Sequence, residues 1–418
     1  MNAEIIAVGS ELLTPYRLDT NSLYLTSELN LLGVQVIHKS VVGDAPDEMQ
    51  SAFGHALERA DMIVSSGGLG PTDDDRTRAT VADLLGRKMI VHEPTLRKIE
   101  ERFRRYGRPM PEINRRQAMV IEGADVLPNP RGTAPGLWVE SKGHILILLP
   151  GVPHEIRALY EAEVKPRIQK LGIKTRLFAR ELRIIGLFES EVEQRVSPLY
   201  AQYPDTETTI LASANGIQLH PRIWSDDPAK AEAILDELTQ RMALALGENL
   251  VSSRGESLEA IIARLLTENR ATISVAESCT GGLVAERLTN LAGSSSYFMG
   301  GVVCYSNALK TSLAGVPAEL IEAKGAVSSE VALALAEGIR KRTGTTLGIG
   351  VTGIAGPSGG TPEKPVGLVH IAIADERRAR EKPYQFPPVD RERIRQLSAQ
   401  NALDMVRRYY LFPNDGRG

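Results

Sequence analysis

The chain has 418 residues, with 49 Lys and Arg against 52 Asp and Glu, a formal net charge of −3, and 42% hydrophobic and 24% charged residues. This composition predicts a soluble globular protein of about two to four domains, each able to bury a core, and excludes the disordered and general nucleic-acid-binding classes. No apolar run approaches the roughly 18 residues needed to span a bilayer, and the two cysteines, Cys279 and Cys304, fit a reducing compartment but not a disulfide framework or a closed zinc site.

The N-terminus, MNAEIIAVGSELL, enters a strand at Ala3–Gly9 without a basic n-region or cleavage site, so a cytoplasmic protein without membrane contact is expected. Asp-Thr-Asn-Ser then caps an amphipathic helix over Asp19–Leu32. A second strand, VQVIHKSVV, and a helix from Pro46 to Arg59 lead into DMIVSSGGLGPTDDDRTRATVADLLG, which reads as strand, glycine turn, acidic cluster and helix. This alternation predicts right-handed βαβ units and a parallel sheet, with ligands at the carboxyl ends of the strands.

Ser66–Gly70 offers a phosphate-sized backbone cradle, with Asp73, Asp74 and Asp75 on its lip. Adjacent carboxylates beside such N–H groups suit a hard divalent cation on a diphosphate; they equally suit the first turn of the following helix. Two later stretches converge on the same place: LPNPRGTAPGLWVE at Leu127–Glu140, and ILILLPGVPHEIRALYE at Ile145–Glu161, whose turn delivers His154 and Glu155 to a helix start. His154 is a substrate contact or a cap, and Glu155 a metal ligand, a general base or a first-turn charge.

Lys174–Ser252 has another texture: strand RLFARELRIIG, helix SEVEQRVSPLYAQY, strands around TTILASA and GIQLHPRIW, and a helix Pro228–Leu246, a compact α+β module. Arg254-Gly255-Glu256-Ser257 reads as hinge and cap before the helix LEAIIARLLTEN.

In Ala271–Thr289, ATISVAESCTGGLVAERLT, β-branched residues feed a strand that breaks at Thr280-Gly281-Gly282 into a helix. The unpaired first N–H groups of that helix favour an anion, or a carbonyl oxygen becoming one, beside Ser278, Cys279 and Thr280. On this stretch alone, a plain βα connection explains the pattern more economically. Gly300–Lys310, GGVVCYSNALK, adds a possible Ser-Lys pair. A neutral lysine can take the proton of a serine attacking an amide. Lys310 reads equally as a surface residue of the helix ALKTSLAGV, and Tyr305 either orients Lys310, relays its proton or packs in the strand. Cys279 is the rival nucleophile. Gly348–Gly367, with ten glycines and prolines in twenty residues before the strand LVHIAIA, offers backbone donors for a phosphate or ribose. His370, the only histidine of residues 253–414, reads as a strand residue. The terminal helix opens at Pro387-Pro388-Val389-Asp390-Arg391, where Arg391 or Arg395 could clamp a phosphate.

AESCTGG, YSNALK, GAVSSEVA and TGIAGPSGGTPEKPVG, over roughly Gly255 to Phe412, resemble the nicotinamide-nucleotide amidase domain at the C-terminus of the CinA (competence/damage-inducible protein A) family. GSELL, DTNS, GGLGPTDDDRT, PNPRGTAPG and LPGVPHE resemble the family's N-terminal domain, which shares its fold with molybdopterin-binding proteins. The resemblance implies a three-layer molybdopterin-binding-like parallel-sheet domain over residues 1–170, a small KH-like α+β linker over 171–252 and an α/β amidase domain over 253–414. No Gly-x-x-Gly loop of nucleic-acid-binding KH type stands at a suitable place in the linker, which therefore reads as a spacer.

For activity the resemblance implies deamidation of nicotinamide mononucleotide to the nicotinate form with release of ammonia. Ser278 would be the nucleophile, Lys310 the base and Tyr305 a helper, with Thr280, Gly281, Gly282, Thr352, Gly353, Ala355, Gly356, Lys364 and Arg391 near the substrate, and no cofactor. For the N-terminal domain it implies hydrolysis of ADP-ribose to AMP and ribose 5-phosphate. Glu11, Asn21, Gly67, Gly68, Gly70, Thr72, Asn129 and His154 would hold the substrate, and Asp73, Asp74, Asp75 and Glu155 a divalent metal, magnesium or cobalt, with potassium as an additional candidate. The alternative is a nucleotide- or molybdopterin-binding module linked to competence or recombination partners. A homodimer is expected. Pro15, with Tyr16 and Arg17 behind it, stands where the family usually has glycine, and Val389 replaces another.

Overall fold

The first strand, Asn2–Val8, is buried because alternate residues feed two cores: Ala3 and Ile5 pack with Leu25, Leu29 and Tyr160, and Ile6 and Val8 with Met49, Phe53 and Val81. Helices on both faces require such a continuous apolar run. In the computed structural model, which describes residues 1–213, 216–387 and 389–413, the contacts divide the chain into two units, Met1–Phe178 with Trp224–Ala229, and Ala179–Ile223 with the chain from Lys230 onward.

The sheet of the first unit runs in the order Gln35–Val42, Asn2–Val8, Met62–Ser66, His144–Leu149, Gly136–Ser141, Asp125–Leu127. Its first four strands are parallel, as the βαβ alternation requires, and the last two turn back antiparallel. The chain leaves Asn2–Val8 towards one neighbour and returns on the other side of it. The carboxyl end of this strand is therefore a topological switch point, where connections part and open a crevice.

The second unit begins with the α+β module. Its sheet contains Thr206–Ser213, Gly216–Ser225, Leu182–Ile184 and Leu250–Ser252 in that order, covered by the helices Glu189–Tyr200 and Pro228–Leu246 through Val192, Val196, Leu238 and Met242. The single strand expected over RLFARELRIIG is two short ones, Arg176–Ala179 and Leu182–Ile184.

The C-terminal sheet runs Phe298–Val303, Ile273–Glu277, Leu347–Gly353, Leu368–Ala374, Ala379–Gln385. The first three strands are parallel and the last two antiparallel. Ile273–Glu277 again has its next strand on one side and the following one on the other, so this domain too places a switch point at the end of its first strand. The helix Leu258–Glu268, capped by Ser257, and the terminal helix Arg391–Leu411, capped by Asp390, cover one face through Ile262, Leu266, Ile394, Leu403 and Val406. The expected helix start at Pro387 lies four residues before the observed one, and Pro388 lies outside the described residues. Among the described residues no helix is long and apolar enough to cross a membrane.

Candidate functional site

At the C-terminal switch point the buried strand ends in Glu277, and the chain turns through Ser278–Gly282 into the helix Leu283–Thr289. Ser278 is fixed by its N–H, donated to the Val351 carbonyl of the neighbouring strand at 3.0 Å, and by its own carbonyl, which accepts from Gly281 N–H at 3.1 Å. Its hydroxyl accepts from Lys310 Nζ at 3.1 Å.

Lys310 is not the surface residue of the alternative reading: it is 2% exposed. The helix Asn307–Ala314, capped by the Ser306 hydroxyl, carries it back to the end of the strand Ile273–Glu277. Its remaining donors go to the carbonyls of Cys304 at 3.1 Å and Tyr305 at 3.2 Å. Burial holds its ammonium below the ordinary lysine value, opposed by the thiols of Cys304 and Cys279. A lysine with neutral acceptors around it and a serine hydroxyl in reach is poised to lose a proton. Cys279 is buried, and burial pushes its thiol up to about 12, so the rival nucleophile is held as an inert thiol.

Tyr305 meets Lys310 through its backbone. Its phenol is 59% exposed and accepts from Arg391 Nη2 at 2.8 Å, while Arg391 Nη1 donates to the Gly356 carbonyl at 2.7 Å. One turn on, Arg395 Nη2 donates to the Thr280 carbonyl at 2.8 Å. The two arginines therefore separate in role: Arg395 braces the serine turn, and Arg391 links the tyrosine to the glycine-rich loop. Thr352, at the end of its strand, gives its hydroxyl to the Ala326 carbonyl at 2.7 Å. Gly353 and the buried Ala355 continue from it into the loop that brings Gly356 to Arg391. Lys364 is placed otherwise than expected: its ammonium donates to the carbonyls of Lys324 at 2.8 Å and Val327 at 2.7 Å, tying its own loop to the segment before the helix Ser329–Thr343.

The helix start is also used differently. The N–H groups of Gly282, Val284 and Ala285 donate to the Glu277 carboxylate at 3.0, 3.1 and 2.8 Å, so the expected anion site there is filled by the protein's own anion. Sequence reasoning did not single out Glu277; the available signal was an acidic residue closing an otherwise apolar strand. His370 donates to or accepts from Glu381 at 2.6 Å, and Glu381 also accepts from Ser329 at 2.8 Å, a network outside the serine turn.

At the N-terminal switch point a cavity of about 220 Å³ is lined by Val8, Glu11, Arg17, Asn21, Ser66 and Gly151 among others. Asn21 Nδ2 donates to the Gly151 carbonyl at 2.8 Å. Of the two residues that follow Pro15, Tyr16 points to solvent at 91% exposure and Arg17 reaches the cavity wall. Gly67 and Gly68 are required by packing: with φ of 109° and 66°, a Cβ on them would lie 2.0 Å from the Val8 carbonyl and 2.0 Å from the Thr77 hydroxyl.

The acidic residues are divided among other tasks. Asp75 accepts from Gly70 N–H at 2.7 Å and Thr72 N–H at 2.9 Å, closing the glycine turn; Asp73 pairs with Arg116; Glu155 accepts from Asn129 Nδ2 at 2.7 Å. Thr72 helps hold the Asp74 carboxyl below its ordinary value. His154 is exposed. Among the described residues no group of three or more His, Cys, Asp or Glu side chains is arranged to hold a metal ion, so the expected ligand set does not fit a metal as placed.

Residues 255–410 match the CinA C-terminal domain family, 4–170 the probable molybdopterin binding domain, and 179–251 the damage-inducible protein CinA KH domain. A CinA-like protein of Koribacter versatilis is 48% identical over 412 residues, covering 98% of this chain and 99% of that one. Another, of Solibacter usitatus, is 46% identical over 408 residues and 98% of each chain. Among solved structures, a protein CinA with unknown function from Thermoplasma acidophilum is 38% identical, covering 40% of this chain and 96% of that chain with a TM-score of 0.37.

Proposed function

Since this chain belongs to the CinA family, with a molybdopterin-binding-like first domain, a KH-like middle domain and a CinA C-terminal domain, we propose that its C-terminal half is a serine-lysine amidase that deamidates nicotinamide mononucleotide. The observation that carries this reading is the 3.1 Å contact between Lys310 Nζ and Ser278 Oγ in a buried setting that favours neutral lysine. Ser278 Oγ attacks the carboxamide carbon as its proton passes to Lys310 Nζ. The C–N bond then breaks, and Lys310 returns that proton to the departing nitrogen, which leaves as ammonia. Water hydrolyses the acyl-serine by the same proton route and releases the nicotinate nucleotide and free serine. Arg391, at the loop edge, is positioned to meet the substrate phosphate with a planar fork. Ammonia release from nicotinamide mononucleotide by the wild type, and its loss in Ser278→Ala, is the test.

For the N-terminal domain the cavity at the switch point supports a narrower proposal, a nucleotide ligand such as ADP-ribose bound beside Glu11, Asn21 and Ser66. Metal-assisted hydrolysis to AMP and ribose 5-phosphate requires the carboxylates of Asp73, Asp75 and Glu155 to leave their present partners. Isothermal titration of ADP-ribose with and without magnesium separates binding from turnover.

A further inference from the structure

We infer that Glu277 is a positioning residue of the amidase site, which straps the serine turn so that the N–H groups of Cys279 and Thr280, with the Thr280 hydroxyl, receive the substrate's carbonyl oxygen during attack. This rests on the amidase reading above and names the part of the site that stabilises charge.

A helix is ordinarily capped by the side chain of the residue just before it. Here that residue is Gly282, which has no side chain, and its φ of 98° turns the chain sharply. The cap comes from five residues back: the Glu277 carboxylate, 1% exposed, spans the serine turn and takes three N–H groups on its far side. Its own backbone carbonyl accepts from Cys304 N–H at 2.8 Å, next to the carbonyl that holds Lys310. Arg395 holds the same turn from outside through the Thr280 carbonyl. Ser278 thus sits in a turn pinned at both ends by charge-assisted hydrogen bonds, which are shorter and stronger than neutral ones.

The strap decides which donors remain. With the helix start occupied, and with Gly281 N–H on Ser278 and Leu283 N–H on Thr280 at 3.4 Å, the N–H group of Thr280 makes no hydrogen bond among the described residues and that of Cys279 meets only the thiol of its own side chain. The Thr280 hydroxyl is buried and likewise without a partner among them. Buried donors left unpaired are costly and uncommon, and they cluster where a ligand supplies the acceptor. These three lie within two residues of the nucleophile, where the carbonyl oxygen of an amide bonded to Ser278 Oγ becomes an oxyanion. The Glu277 charge does not oppose that oxyanion freely, because three N–H groups and the positive end of the helix already face it.

The experiment uses the full chain with nicotinamide mononucleotide as substrate. Glu277→Gln puts an NH2 group where a helix N–H needs an acceptor and loosens the strap. The expected result is a fall in kcat on the order of 100-fold, with KM and the pH midpoint set by Lys310 unchanged. Glu277→Asp, which keeps the charge and shortens the reach by one methylene, should show the same split and carries the test if the glutamine variant fails to fold. Wild-type kcat in Glu277→Gln alongside an inactive Ser278→Ala would overturn the inference and leave the amidase standing. A joint loss of kcat, substrate binding and melting temperature in both Glu277 variants would overturn it as well, reducing Glu277 to a structural cap. An active Ser278→Ala would remove the amidase reading and this inference with it.

Discussion

The carbonyl oxygen of Tyr305, not its phenol, meets the Lys310 ammonium, at 3.2 Å, while the phenol oxygen accepts from Arg391 at 2.8 Å. Tyr305→Phe keeps the carbonyl and removes only the second contact. It should therefore leave kcat near the wild-type value and raise KM, where a proton relay would require kcat to collapse. Steady-state kinetics with nicotinamide mononucleotide distinguish the two.

Arg391→Ala removes the guanidinium itself. If it meets the substrate phosphate, KM for nicotinamide mononucleotide should rise about 10-fold or more, from the loss of a charged hydrogen bond worth roughly 1.5–3 kcal/mol. The rate on the nucleoside, which lacks the phosphate, should not change.

Lys310 offers a paired test. Because its folded-state pKa is lowered by burial, the amidase rate should rise with pH through a midpoint below that of free lysine, about 10.4. Lys310→Arg, which stays charged, should be as inactive as Lys310→Ala. For stability the sign follows from proton binding. Between the lowered pKa and the ordinary one the unfolded chain binds the extra proton, so wild-type stability rises with pH across that window. Below it the folded protein carries a buried ammonium at full cost. Lys310→Met should therefore be inactive yet melt higher than the wild type at pH 7, and its melting temperature should lose that rise at alkaline pH.

Ser278→Ala should abolish ammonia release without lowering the melting temperature. Cys279→Ala should retain activity, since burial keeps that thiol protonated. An inactive Cys279→Ala beside an active Ser278→Ala would exchange the two roles.

In the N-terminal domain, Asp75→Ala should lower stability by about 1–3 kcal/mol, because it leaves Gly70 and Thr72 N–H groups without their acceptor. Asp73→Ala and Asp74→Ala, both exposed, should unfold at the wild-type denaturant concentration. Chelation of divalent ions should leave ammonia release unchanged, since no step proposed for it uses a metal.

Where periodicity and chemistry coincide the sequence is readable. Ile273–Glu277, the turn at Ser278–Gly282 and the helix carrying Lys310 follow from β-branched residues, paired glycines and a serine cap. Partner choice is less readable. Asp75 and Glu277 have the same functional group, and nothing local says that each will turn inward onto backbone N–H groups instead of towards a ligand. Lys364 belongs to a motif that suggests substrate, yet it ends on two carbonyls some forty residues earlier in the chain, a contact fixed only by tertiary packing. The strand Ala379–Gln385, AREKPYQ, lies at a sheet edge, where exposure removes the apolar alternation that would reveal it.

The terminal helix Arg391–Leu411 has its two ends in different neighbourhoods. Arg391 and Arg395 stand at the serine turn, and Arg407, fully buried, gives its guanidinium to the carbonyls of Glu248 at 2.7 Å and Leu250 at 3.1 Å, with Asp404 at 2.6 Å beside it. At 1.5 Å per residue, one stiff rod joins the chemistry to the KH-like module over about 30 Å. A cut just before residue 253 therefore falls on the wrong side of the acceptors that keep this cation company. An amidase fragment that begins there would keep the Asp404 carboxylate on Arg407 but take away the carbonyl acceptors of both terminal nitrogens, and one that begins ahead of Glu248 would keep them. The seam between the sequence families and the seam along which the protein comes apart cleanly are different places.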